Sequence, residues 1–149
     1  MNKWKIVTAA SLCLAVMMSS ACMRIALREQ ERREQVDLVY TDFVVQLYNS
    51  FNFNYREADR EEQIRTYATG IASLRTAYGI YPLTSYHRAY PFTDDSLSLL
   101  LPVLVKRFEQ NPQTYGDDFD LYNLLIEYAM APDDKERVDA LMNYVDRMK

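Results

Sequence analysis

Few residues in this 149-residue chain are equipped to do chemistry. There is one histidine, His87, and there are two cysteines, Cys13 and Cys22. His87 and Arg88 stand among Tyr81, Tyr86, Tyr90 and Phe92, in a segment, residues 79–93, that also carries Pro82 and Pro91. Tyrosine and arginine dominate the energetics of protein interfaces, and connections of this length are often functional. Tyr81, Tyr86, His87, Arg88 and Tyr90 are therefore the candidate partner-binding residues. The competing reading is that these rings plug the gap between two helical hairpins, with their hydroxyls reaching solvent. The densest acidic group, Asp117-Asp118-Phe119-Asp120, fails as a calcium loop because Tyr122 and Asn123 stand where a carboxylate and a glycine are needed. Helix capping explains it better. There is no His/Cys cluster for zinc, no nucleophile elbow and no phosphate-cradling glycine loop. The chain is thus read as a non-enzyme, with no catalytic residue, metal or cofactor expected. Paired carboxylates that meet only in space are the one catalytic design left open.

The first segment has a different character. Lys3 and Lys5 make a short basic start, residues 6–18 carry no charge, and Ser19, Ser20 and Ala21 lead into Cys22. A basic start, an apolar run of about 13 residues and a small-residue stop read as an export signal, since a spanning helix needs ~20 residues. Ser19-Ser20-Ala21-Cys22 resembles the cleavage box of bacterial lipoproteins, with the small residue at Ala21 and the cysteine at Cys22. The resemblance implies diacylglycerol on the Cys22 sulfur, cleavage before Cys22 and acylation, by palmitate or a similar chain, of the new amine. Cys13 is the poorer lipid site, because Leu12 precedes it and only residues 6–12 remain as its apolar region. An uncleaved anchor is the alternative, extending the run through Met23. It would place Arg24, Arg28, Arg32 and Arg33 on the far side, against the positive-inside tendency. An ordinary secreted protein is the third possibility. A mature chain beginning at Cys22 retains one cysteine, so no internal disulfide can form and the core alone must hold the fold.

Composition narrows the rest. With 49% hydrophobic and 26% charged residues and a mean hydropathy of −0.30, the chain is too polar for a multi-span membrane protein. It is too apolar for a disordered one. Three glycines and five prolines are too few for the tight turns of an all-β protein. Residues 23–92 carry nine basic and nine acidic side chains, whereas 93–149 carry six and twelve. An acidic C-terminal half is a poor nucleic-acid binder and suits a basic partner.

The elements that must position these residues follow from periodicity. Residues 24–35 are nearly all charged or amide after Ile25, Ala26 and Leu27, and Glu29 and Arg33 form a favourable i,i+4 pair. This is a solvated spacer that can extend the helix after it. Val36, Tyr40, Phe43, Leu47 and Phe51 keep helical steps, and residues 49–54 break the pattern. Asn54 or Asp59 caps a second helix along which Ile64, Tyr67, Ala68, Ile71, Leu74 and Tyr78 form the stripe, with Gly79 at its C-terminal cap. Gly70 inside it calls for close packing of another helix. Residues 79–93 read as non-helical, because Pro82 and Pro91 push Tyr81 and Tyr90 into extended backbone. Thr93 or Asp94 caps a third helix that is apolar on every side from Leu97 to Phe108 and is therefore central, with Pro102 kinking or restarting it. Asp117 or Asp118 caps a fourth helix, with Phe119, Tyr122, Leu125, Ile126, Ala129 and Met130 facing inward. Asp133 caps a fifth, striped by Val138, Leu141, Met142, Val145 and Met148, and the short Ala131-Pro132 junction makes the last two a hairpin.

The expectation is an all-α bundle of about five helices preceded by a charged N-terminal stalk: residues 1–21 the signal peptide, 22–35 the lipidated cysteine and stalk, 36–149 the helical domain. The expected role is that of a lipid-anchored accessory or assembly lipoprotein, a pilot or scaffold. It would sit in the bacterial cell envelope, on the outer membrane facing the periplasm, and bind another envelope protein rather than nucleic acid. The second reading is an immunity or inhibitor lipoprotein that neutralises a basic toxin or enzyme. The third is a carrier of an apolar ligand.

Overall fold

A computed structural model describes the backbone of residues 3–90 and 93–147, and the side chains of 17–88, 90 and 97–147. Pro91, Phe92 and Met148, and the side chains of Cys13, Thr93 and Asp94, lie outside the described residues. The chain is all-α, with no strand among the described residues. Its order is α1 (Lys3–Phe51), α2 (Arg60–Ile80), a 3-10 turn (Tyr81–Leu83), α3 (Tyr86–Ala89), α4 (Thr93–Gln110), a second 3-10 turn (Pro112–Asp117), α5 (Phe119–Met130) and α6 (Lys135–Arg147). Five of these helices have twelve residues or more. The chain divides into two compact units, Met1–Gln35 and Val36–Lys149.

In the first unit the described side chains bury almost nothing. Met17, Met18, Met23, Ile25 and Leu27 are all exposed, as is Cys22. Glu29 accepts from Arg32 and Arg33 at 3.3 and 3.1 Å, the i,i+3 and i,i+4 pairs that support a solvated helix.

The second unit is built round one core. Tyr40, Val44, Leu47 and Phe51 are the fully buried face of α1, with Phe43 and Tyr48 beside it. Asp59 caps α2, its carboxylate accepting from the Glu62 N–H at 2.9 Å. The α2 face that turns inward is Gln63, Gly70, Ile71, Ser73, Leu74 and Ala77; of the expected stripe Ile71 and Leu74 are buried and Tyr67 packs against the core, whereas Ile64, Ala68 and Tyr78 are exposed. Gly70 is there because α1 comes close: a Cβ on it would lie 2.2 Å from Ser50 Oγ. Gly79 lies inside α2 rather than ending it, and no residue described has positive φ.

Four further expectations are corrected. Residues 81–89 are largely helical: Tyr81 has φ −49° and ψ −44°, so the proline after it does not force it into extended backbone. Pro82 instead serves as an early residue of a 3-10 turn, where its missing N–H costs nothing. α4 runs through Pro102 but is not enclosed on every side. Leu97, Leu100, Leu104 and Phe108 are buried, Leu99, Leu101, Val103 and Val105 are half-buried, and Pro102 and Lys106 face solvent. In α5 the inward residues are Leu121, Leu125, Tyr128 and Ala129, whereas Phe119 and Met130 are 70% and 75% exposed. Asp118 caps α5 and Asp134, not Asp133, caps α6, accepting from the Glu136 and Arg137 N–H groups. Val138, Leu141 and Val145 are the buried stripe of α6, as spaced. α4 packs on α2 and α6, and α5 on α6.

Candidate functional site

The two ends of the 36–149 unit each gather aromatic side chains, and they gather them differently. At the end where α1 enters this unit lies the tyrosine segment. Asp37 anchors it, accepting from the Ser85 N–H at 2.8 Å and from the Ser85 hydroxyl at 2.7 Å. Both donors sit at the start of α3, so one carboxylate ties that short helix to α1.

This anchoring decides where each candidate falls. Tyr81 has no accessible surface: its ring lies 5.5 Å from that of Tyr40, and its hydroxyl donates to the Tyr90 carbonyl at 2.5 Å. It is a core residue and cannot touch a partner. Tyr86 and Tyr90 are half-buried against the same core, Tyr86 with its ring 5.9 Å from Tyr40. His87 is half-buried with its imidazole edge-on to Tyr81 at 5.4 Å, and its backbone N–H donates to the Thr84 hydroxyl at 3.3 Å. Arg88 is exposed, as are Pro82 and Leu83.

Below these, Tyr40 and Tyr128 share a buried hydrogen bond of 2.6 Å. Burial first, then the neighbouring hydroxyls, push the Tyr40 phenol well above its ordinary value; burial does the same for Tyr128. The site residues thus split: Tyr81 belongs wholly to the core, while the open surface is Arg88 with Leu83 and the outer edges of Tyr86, His87 and Tyr90.

At the opposite end, where α1 stops, the turn 52–58 faces the 3-10 turn 112–117 across an open cleft of about 300 Å³. The turn is held from beneath. Buried Gln63 donates from Nε2 to the carbonyls of Tyr55 and Ala58 at 2.6 and 3.3 Å, and the Tyr55 hydroxyl donates to the Ser50 carbonyl at 2.9 Å. On the other wall Gly116 fits because it lacks a side chain: a Cβ would lie 2.7 Å from the Phe51 carbonyl oxygen and 3.1 Å from that of Phe53. Arg56 and Asp117 close the rim as an ion pair at 2.5 Å. Amides of Asn52, Asn54 and Gln113 and the rings of Phe53 and Phe119 complete the lining.

Beside the cleft, Asp118 accepts from the Tyr144 hydroxyl at 2.6 Å, from the Leu121 N–H at 3.0 Å and from Arg107. Burial raises its carboxyl, but the three donors outweigh that and hold it below the ordinary carboxylate value. Burial and the same carboxylate push the Tyr144 phenol up to about 12.

Periodicity gave no sight of this cleft. Residues 49–54 announced only a helix break, and Phe119 counted as an inward residue. The available signal was register: Leu121, Leu125 and Tyr128 keep helical steps, and Phe119 stands at the first turn of α5, off that row. Among the described residues no group of His, Cys, Asp and Glu is placed to hold a metal ion, and no helix is long and apolar enough to cross a membrane. No protein-family model, curated protein or solved structure matches the chain.

Proposed function

We propose that the chain is a lipid-anchored protein of the bacterial cell envelope. In this reading it is tethered at Cys22, spaced from the bilayer by the charged stalk 23–35, and carries a helical bundle that binds another envelope protein as an accessory or assembly lipoprotein. The observation that carries the reading is the exposure of Cys22 beside Ala21, within a stretch whose apolar side chains, Met17 to Leu27, are all left uncovered. A stretch of helix that covers none of its apolar side chains needs another reason to hold methionines, isoleucine and leucine around a cysteine. A precursor segment recognised in a membrane and then removed, ahead of a polar spacer, supplies that reason. Two or more acyl chains, at ~0.8 kcal/mol per buried CH₂, attach a protein stably without a spanning helix. The tether then raises the local concentration of the bundle at the membrane without any new contact. For the partner, the favoured surface is Arg88 with the outer edges of Tyr86, His87 and Tyr90.

The test is metabolic labelling with a fatty-acid analogue. Cys22→Ala abolishes labelling and leaves the precursor uncut, whereas Cys13→Ala changes neither. Labelling lost with Cys13→Ala, or a mature chain that begins elsewhere and carries no lipid, overturns the proposal. The acidic balance of residues 93–149, twelve acidic against six basic, favours a second reading as an inhibitor of a basic toxin or enzyme. Co-purification of a hydrolytic enzyme with the mature protein, in place of a component of an envelope assembly, decides for it.

A further inference from the structure

The cleft between the turn 52–58 and the 3-10 turn 112–117 is a site the lipoprotein reading does not use. Its chemistry is specific in three respects. Its charges are already spent on each other, because Arg56 and Asp117 pair across the rim. That leaves no unpaired charge in the lining to recruit a strongly charged ligand, which favours a neutral one.

Its polar groups are amides. Asn52 and Gln113 are exposed, and neither side-chain amide has a hydrogen-bond partner among the described residues. Each amide offers two donors and an acceptor, which suits a ligand bearing many hydroxyls rather than a hydrocarbon. Its apolar groups are flat. Phe119 is 70% exposed at the rim, and Phe53 lies half-exposed, held edge-on to the buried Tyr55 ring at 5.0 Å. An exposed aromatic face is covered well by the C–H face of a saturated ring.

The walls are also fixed in place before any ligand arrives. Gln63 and Tyr55 pin one turn, and Gly116 permits backbone contact with the other. A preformed cleft loses less to ordering on binding. Its volume, about 300 Å³, stands at the lower limit of ligand clefts and admits one or two sugar rings. A docked helix would need a longer apolar groove, and a docked strand would need a sheet edge, of which there is none among the described residues.

We propose that this cleft binds a neutral oligosaccharide, with a pyranose face on Phe119 and hydroxyls bonded to Asn52 and Gln113. The proposal does not depend on lipidation. The experiment is calorimetric titration of the full chain, held in a detergent without a sugar headgroup, with trimers of N-acetylglucosamine and of glucose and with an uncharged hydrophilic peptide. Saturable binding of at least one trisaccharide is expected. Phe119→Ala weakens it by about tenfold or more, and Asn52→Ala and Gln113→Ala each by about threefold. All three variants melt with the parent, because all three side chains are exposed. Arg88→Ala and Cys22→Ala bind as the parent does, which separates this test from that of the anchor. Absence of saturable binding by both sugars overturns the proposal. So does sugar binding that Phe119→Ala leaves intact, or capture of the peptide alone.

Discussion

The tyrosine end and the cleft end of the helical unit are both rich in rings, yet only the cleft end leaves a ring, Phe119, largely uncovered. Around Tyr40 the rings of Tyr81 and Tyr86 meet it tilted and that of Tyr128 edge-on, 5.5 to 6.4 Å apart, and the hydroxyls of Tyr40, Tyr81 and Tyr128 are committed inside the protein. Around Tyr115 two pairs stack, Phe51 on Tyr115 at 4.9 Å and Tyr67 on Phe108 at 3.9 Å, while Tyr55, Tyr67 and Phe108 meet Tyr115 edge-on. These rings seal the core beneath the turns; Phe53 packs half-buried against them, and Phe119 is left at the surface. A local abundance of tyrosine therefore says little about binding. What matters is whether another element has come down over the rings, as α3 does through Asp37, or whether two turns stop short of each other and leave a gap.

The largest effect that tests this contrast is expected from Tyr81→Ala. A wholly buried ring should cost about 3–5 kcal/mol when truncated, read as a shift in the urea midpoint. A variant within 1 kcal/mol of the parent would break the contrast by making the tyrosine segment a surface loop. Next is the Tyr40–Tyr128 pair. Tyr128→Phe strands the Tyr40 hydroxyl and should cost about 1–3 kcal/mol, while Tyr40→Phe with Tyr128→Phe should recover much of the loss. Additive losses in that cycle would show that the two hydroxyls do not depend on each other.

At the cleft end, Asp118→Asn should cost about 1–3 kcal/mol at neutral pH, because it weakens charge-assisted bonds from Arg107 and Tyr144. The native carboxyl is held below its unfolded value, so its contribution is full above about pH 4 and is lost as the pH falls through the lowered native value. Acid titration of stability should therefore be steeper for the parent than for the variant; identical curves would remove Asp118 from the account. The smallest effect is that of Phe119→Ala, within about 0.5 kcal/mol in the same melts. A large loss there would mean that Phe119 packs inward, and the cleft would lose its platform.

Some of this was legible in the residue order, and the limits are physical. The caps at Asp59 and Asp118 and the stripes of α1 and α6 depend on neighbours three or four positions away, so spacing reveals the stripes and narrows each cap to two candidates. Gly70 announced a close helix without naming it. The α2 and α5 stripes were right at Ile71, Leu74, Leu125 and Ala129 and wrong at their outer members, because hydrophobicity stands in for burial only when every apolar residue has something to cover it. Ile64, Tyr78, Phe119 and Met130 do not.

By itself the sequence determined the all-α class, the neighbourhoods in which α2 and α5 start and the charged, coreless character of residues 24–35, since each is an energy settled within a turn or two of helix. Tertiary structure alone decided that Tyr81 is core and Phe119 is surface, that Ser50 occupies the space beside Gly70, and that Arg56 meets Asp117 across 61 positions while Tyr40 meets Tyr128 across 88. Contacts at such separations are chosen by how whole helices pack, and side-chain type does not encode that choice locally.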